Sequence, residues 1–366
     1  MSLNDVTLRQ IVRTSVGGDR VRVVFSNTYG RTPLRIAAAH VALRSKDATL
    51  APGSGRRLTF GGLAETTIAA GAVVVSDAAA LKVPALTDLA VDLYLPGDSI
   101  AATSPITTHN GARQTNYLST AGNHAGVADF PVATTTAAWF FLSRVEVTSP
   151  SAAGAVVTLG DSITDGYNST PDRNSRWPDH LAARLLGPKN RMALGVLNVG
   201  IDGNKVTMDG LGVSALARLD RDVLVQTGVT YVVVLEGIND VGLARGGPRA
   251  TAPQLIAAHR QLIARAHARG LTIYAGTLLP FEGTTIPDYF TPEGEATRNA
   301  VNQWIRTSRE YDGVIDFEAA LRDPKQPARL LAEYDSGDHL HPSDAGYAAM
   351  AAAIDLKLFK NAARPR

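Results

Sequence analysis

Between Val156 and Gly166 the chain reads VVTLGDSITDG, an apolar run without the alternation of a half-exposed strand, stopping abruptly at Gly160-Asp161-Ser162. A strand of this kind is buried on both faces, as in a parallel sheet covered by helices. The run YVVVL, Tyr231–Leu235, has the same texture. With the first strand taken as Ala155–Leu159, further candidates at Gly195–Val199, Leu271–Leu278 and Gly313–Phe317 complete a series of five. Helical patterns lie between and after them at Trp177–Leu186, Val213–Leu224, Ala252–Arg269, Pro292–Tyr311 and Ser343–Phe359. This alternation predicts a doubly wound α/β domain, whose reactive residues lie beyond the carboxyl ends of its strands.

Ahead of Ser149 the pattern changes. Segments at Val21–Asn27, Pro33–Leu43, Ala72–Ser76, Asp88–Leu95 and Trp139–Thr148 are short and alternating or briefly apolar. Turn residues such as Pro52-Gly53, Gly61-Gly62 and Pro96-Gly97 separate them, and no helical pattern intervenes. This spacing predicts an all-β sandwich of jelly-roll type. The small-residue stretch Ser149–Ala155 marks the boundary, dividing the chain into residues 1–150 and 151–366. A length of 366 residues agrees with two domains of roughly 100–200 residues each.

Composition narrows the function classes. A net charge of +2, with no basic face, argues against a nucleic-acid partner. No apolar run approaches the roughly 20 residues that span a bilayer. With no cysteine, thiolate metal sites, disulfides and cysteine nucleophiles are excluded. The start, MSLNDVTLRQ, lacks the basic-then-apolar order of a signal peptide, and Met1-Ser2-Leu3 reads as a remnant ahead of a mature start. Neither localisation nor oligomeric state follows from these features.

Several strand ends carry polar residues: GDSITDG with Ser162, NVGIDGN with Gly203, EGINDVG with Asn239, and SGDHLHPSDAGY before the last helix. A serine nucleophile needs a base within hydrogen-bond reach and a group that fixes the base's tautomer. Asp338 and His341 are three residues apart, and Pro342 biases His341 towards an extended conformation at the threshold of the last helix. On that turn Asp338 can hold one ring nitrogen of His341 while the other faces Ser162. Gly203 can bring a backbone N–H close to a substrate oxygen. With the Asn239 amide and the Ser162 N–H it makes a candidate oxyanion hole.

On these residues the chain resembles the SGNH (GDSL-type) hydrolases. GDSI, NVGIDGN, GIND and DHLHP occur in the family's order from Ala155 to about Leu358, with Ile163 in place of the usual Leu. The resemblance implies a flavodoxin-like sheet and an acyl-enzyme mechanism without metal or other cofactor, on small esters or acylated carbohydrates. It also implies that the β-rich N-terminal part is the extra domain of a bacterial subgroup, and it points towards secretion. Gly200 competes with Gly203 for the second block; Gly203 is preferred because Asn204 follows it and it lies further beyond the strand. Asp161 and Asp165 are read as supports that hold the serine loop in shape.

Plainer readings exist for each residue singly. Ser162 or Asn239 can cap a helix, Gly203 can be a turn glycine, and His341 a loop histidine. On an extended segment His339 and His341 would share a face, as metal pairs do, but no further ligand cluster at suitable spacing completes such a site. Gly210-Leu211-Gly212 imitates a dinucleotide fingerprint yet stands too far past its strand. Asn168-Ser169-Thr170 matches a glycosylation acceptor. Trp177, Tyr167 and Phe281 are candidates for the cleft or for packing, and His109 and His124 read as loop histidines. Two functional alternatives stay open: acyl transfer by the same triad, and a carbohydrate-binding protein with an inert hydrolase domain.

Overall fold

The structure, a computed structural model, describes residues 3–97, 99, 104–151, 154–190, 192–243 and 247–360. Met1, Ser2 and the linker residues Ala152 and Ala153 therefore lie outside the described residues. The chain divides into two compact units, Met1–Ala152 and Ala153–Arg366.

The first unit is β-rich, with every strand pair antiparallel and no helix among the described residues. A seven-stranded sheet has Val6–Thr14 near its centre, paired with Thr87–Leu95 on one side and Asn116–Ala121 on the other. A four-stranded sheet is built around Gly18–Ser26. Leu8, Val41 and Leu93 of the larger sheet share one apolar core with Val21, Phe25 and Leu81 of the smaller. Two segments that read as single strands are each broken in two. Pro33–Leu43 becomes Leu34–Ile36, paired with Thr66–Ile68, and Ala38–Lys46, paired with Thr87–Leu95. Trp139–Thr148 breaks at Phe141, whose backbone turns to φ 57° while its ring stays buried.

Val6–Thr14 carries no obvious strand signature because its polar side chains are buried as well. Arg9 is fully enclosed, donating from Nε and Nη2 to Asp92 at 2.7 Å each. A paired buried charge of this kind erases the alternation by which strands are recognised. His109 lies on the strand Thr108–Asn110 rather than in a loop, its ring against Trp139. His124 does lie in a loop, its Nε2 at 3.0 Å from the Ala121 carbonyl.

The second unit holds a five-stranded, wholly parallel sheet. In chain order its strands are Gly154–Gly160, Leu194–Gly200, Val229–Leu235, Thr272–Gly276 and Gly313–Ile315, arranged 2-1-3-4-5. The register brings Gly160 level with Gly200 and Leu235, so the first three strands end on one line. The order changes direction beside the first strand, where such sheets open a crevice at the strand ends. The first strand is buried without alternation from Ala155 to Gly160, so both of its faces are covered. Ala252–His267 starts on Thr251, whose N–H donates to Gln254 Oε1, and buries Leu255, Ala258, Leu262 and Ala266 at helical spacing.

Two helical patterns break up and one strand stops short of its sequence pattern. The pattern Val213–Leu224 becomes an α-helix, Ala215–Leu219, continued by a π-helical turn, Asp220–Leu224. The last helix, Asp344–Ala353, stops before Asp355, which caps a separate 3₁₀ turn, Leu356–Phe359. Asp316 ends the fifth strand early because its side chain caps the short helix Phe317–Leu321. Among the described residues, no helix is long and apolar enough to cross a membrane.

Candidate active site

Ser162 opens a one-turn helix, Ser162–Asp165, directly beyond the first strand. Asp161 is its N-cap, with Oδ1 accepting from the Ile163 N–H at 2.9 Å, and Gly166 closes it at φ 95°. The turn is pressed onto the sheet through glycines. A Cβ on Gly200 would lie 2.2 Å from the Asp165 nitrogen, and one on Gly160 2.5 Å from the Leu235 carbonyl oxygen. Gly200 is thus a packing position, and its own N–H is taken by Asn198 Oδ1 at 2.9 Å. Asp165 is buried in the turn, its carbonyl accepting from Arg176 Nε at 3.0 Å.

His341 meets Ser162 from the loop before the last helix. Its Nδ1 lies 2.6 Å from Asp338 Oδ2, and its Nε2 lies 2.8 Å from Ser162 Oγ. A carboxylate can only accept, so Nδ1 carries the hydrogen and Nε2 of the neutral ring accepts from the serine hydroxyl. Asp338 Oδ1 takes the backbone N–H groups of Leu340 and His341 at 3.0 and 2.8 Å. Burial works to raise the Asp338 carboxyl, but the hydrogen bond and charge of His341 and these N–H groups hold it down at about 2.

Two residues of the loop after the serine helix complete this edge. Asn168 Nδ2 donates to Asp338 Oδ2 at 2.9 Å and to Ser336 Oγ at 3.0 Å. The nitrogen that a glycan would take is therefore already engaged, against the acceptor reading of Asn168-Ser169-Thr170. The Tyr167 ring lies 4.5 Å from that of His341 and is partly open to solvent. Trp177 and Phe281 are wholly enclosed in the core instead of lining a cleft. His339 adopts φ 60°, so the segment is not extended there, and its ring pairs with Asp335 rather than sharing the face of His341.

The loop and helix that carry the other candidate oxyanion donors are tied by hydrogen bonds to the end of the first strand. Gly203 sits at φ 67°, a conformation that favours glycine, and among the described residues its N–H and that of Ser162 donate to no protein acceptor. Asn239 lies on the one-turn helix Ile238–Gly242 beyond the third strand; its Nδ2 donates to the Asn204 carbonyl at 3.0 Å and its Oδ1 accepts from Tyr289. Arg218, fully enclosed, donates to the Gly160 carbonyl at 3.0 Å, the Val199 carbonyl at 2.6 Å and Asn204 Oδ1 at 2.9 Å. One guanidinium so joins the ends of two strands to the glycine loop.

Behind the serine turn lies a group of buried acids. Asp240 accepts from Val206 N–H at 2.8 Å and from the Thr207 hydroxyl at 2.6 Å, and burial raises its carboxyl. Glu236 is fully enclosed with Arg218 Nη2 at 3.8 Å, and burial followed by the Asp161 charge pushes it well up. Burial, opposed by the Ile163 N–H and seconded by Asp202 and Asp240, lifts Asp161 to about 7.

Arg218, Asn168, Asn204 and Tyr289 carry roles that the sequence reading did not assign. Arg218 had a signal: it falls in the apolar stripe of Ala215, Leu219 and Val223, where a cation needs buried partners. Tyr289 had none, since its partner is 50 residues away.

A sequence profile of the GDSL-like lipase/acylhydrolase family matches residues 158–349. Among solved structures, similarity extends to a lipase/acylhydrolase from Enterococcus faecalis at 21% identity, covering 55% of this chain and 92% of that one with a TM-score of 0.43. A carbohydrate acetylesterase family member from Sinorhizobium meliloti shows 18% identity over 55% and 94% of the two chains, TM-score 0.44. A GDSL-like lipase from Bacteroides thetaiotaomicron shows 19% over 57% and 88%, TM-score 0.43. No curated protein matches the chain.

Proposed function

Because the chain belongs to the GDSL-like lipase/acylhydrolase family, we propose that it is a serine esterase that hydrolyses carboxylic esters through an acyl-enzyme. The observation that carries this reading is the unbroken line from Asp338 Oδ2 through His341 to Ser162 Oγ, at 2.6 and 2.8 Å. Ser162 attacks the ester carbonyl as His341 Nε2 takes its proton. Asp338 keeps the ring in the required tautomer and stabilises the imidazolium. The tetrahedral oxyanion is received by the N–H groups of Ser162 and Gly203 and the amide of Asn239. His341 then protonates the departing alcohol, and water activated by the same nitrogen releases the acid.

Within this reading the 2-1-3-4-5 sheet is flavodoxin-like, residues 151–366 form the catalytic domain, and residues 1–150 an accessory sandwich. The substrate class is a short acyl group, acetyl above all, on an alcohol that includes sugars. Tyr167, partly exposed against His341, offers a flat aromatic surface beside the nucleophile of the kind a sugar ring stacks on. The test is a chain-length series of p-nitrophenyl esters, run beside acetylated xylan and acetylated monosaccharides, on the wild type and Ser162→Ala. The substitution is expected to abolish turnover and fluorophosphonate labelling while leaving the melting temperature near its original value. Turnover by the alanine variant would end the assignment; preference for long acyl chains would remove the substrate class alone.

A further inference from the structure

The carboxamide of Asn239 is held at both ends. The Asn204 carbonyl, 3.0 Å from Asn239 Nδ2, can only accept, which puts the amide nitrogen on that side and Oδ1 on the other. Oδ1 receives the Tyr289 hydroxyl at 2.9 Å. Two contacts thereby settle the rotation of the side chain and leave the second amide hydrogen without a protein acceptor among the described residues. Tyr289 is itself firmly seated. It is 1% exposed, its ring packs edge-on to Phe281 with centroids 5.8 Å apart, and it lies against Gly242 of the helix that carries Asn239. A Cβ on Gly242 would stand 2.3 Å from that ring, so the glycine is what admits it.

We propose that Tyr289 is a positioning residue for the reaction: its hydroxyl locks the Asn239 carboxamide so that the free N–H is preset for the oxyanion. This rests on the reading of Asn239 as an oxyanion donor. A donor lowers a barrier only if it is oriented before charge develops, because reorientation during the reaction consumes the gain. Tyr289 approaches from a segment 50 residues further along the chain, independent of the helix that it steadies. Burial, followed by the charges of Asp161 and Asp240, raises the phenol well above its usual range, so the hydroxyl remains a donor throughout the working pH.

Tyr289→Phe keeps the ring and removes only the lock. On the p-nitrophenyl ester turned over fastest by the wild type, it is expected to lower kcat by about 5- to 50-fold, below the roughly 10²–10³ of losing a donor outright. KM should stay within about two-fold, because the carboxamide serves the oxyanion and not the bound ester. In the Asn239→Ala background, Tyr289→Phe should have no further effect on kcat, as expected for two residues acting through one interaction. A packing role alone would not produce that epistasis. Full kcat in Tyr289→Phe, a loss confined to KM, or losses that multiply in the double variant would overturn the proposal and leave the esterase reading intact. Full kcat in Asn239→Ala, with Ser162→Ala inactive, would remove both the oxyanion role of Asn239 and the role given to Tyr289. Turnover by Ser162→Ala would instead point to failure of the esterase reading itself.

Discussion

Asn168 donates to the same Asp338 oxygen that holds His341 Nδ1, which gives it a measurable share in keeping the imidazole in place. A hydrogen bond to a charged acceptor contributes about 1.5–3 kcal/mol, less where water can replace it. The residue sits at φ 64°, so glycine, and not alanine, is the substitution that removes the amide without straining the backbone. Asn168→Gly is expected to reduce kcat by roughly ten-fold, about 1.4 kcal/mol, at unchanged KM; undiminished kcat would show that the backbone N–H groups suffice to hold Asp338. At this scale the sequence displayed the reacting groups and hid their supports. Ser162 stands out because it ends an apolar run, and Asp338 and His341 because they stand three apart in a polar segment at the threshold of the last helix. Asn168 read only as a sequon, and Tyr289 carried no signal at all, because their partners lie 170 and 50 residues away.

Among the helices, those that carry Ser162 and Asn239 are brief. Ser162–Asp165 and Ile238–Gly242 are single turns, too brief for a 3.6-residue period to register, and both escaped the reading of the pattern. The longer helices were legible at their starts, where Pro178, Pro253 and Pro292 occupy the first turn. Short turns need outside support, and Arg218 supplies it by joining the Gly160 and Val199 carbonyls to Asn204. Arg218→Met would leave those acceptors and Glu236 without their cation. Breaking a buried charge network of this kind destabilises by about 3–5 kcal/mol, which urea unfolding of the second unit would read. Arg218→Lys is expected to recover little of this, since one ammonium cannot span three acceptors in a fixed fork. A lysine variant as stable and as active as the wild type would show that charge alone matters there.

For the whole molecule, the buried acids behind the serine turn set the sign of its response to pH. Asp161 is raised to about 7 from an ordinary 3.8, and Glu236 and Asp240 are raised as well, each chiefly by burial. A carboxyl whose folded value exceeds its unfolded value binds more proton when folded, so its contribution is complete at low pH and declines as pH rises through the folded value. His259 works in the opposite sense: burial lowers it from 6.5 to about 4, and stability that depends on its neutrality is lost as pH falls through that interval. The two effects oppose each other between pH 4 and 6.5, but above 6.5 the His259 contribution is complete in both states and the acids act alone. The melting temperature of the second unit is therefore expected to fall between pH 6.5 and 8, by roughly 2–4 °C for each kcal/mol lost. With two units the transition need not be single, so the reporter has to belong to one of them. Trp177 and Trp304 lie in the second unit and Trp139 in the first, so fluorescence in a Trp139→Phe background follows the second alone. Asp161→Asn keeps an acceptor for the Ile163 N–H and removes the titration, and should flatten the decline; the same slope with and without Asp161 would move its origin to Glu236 and Asp240.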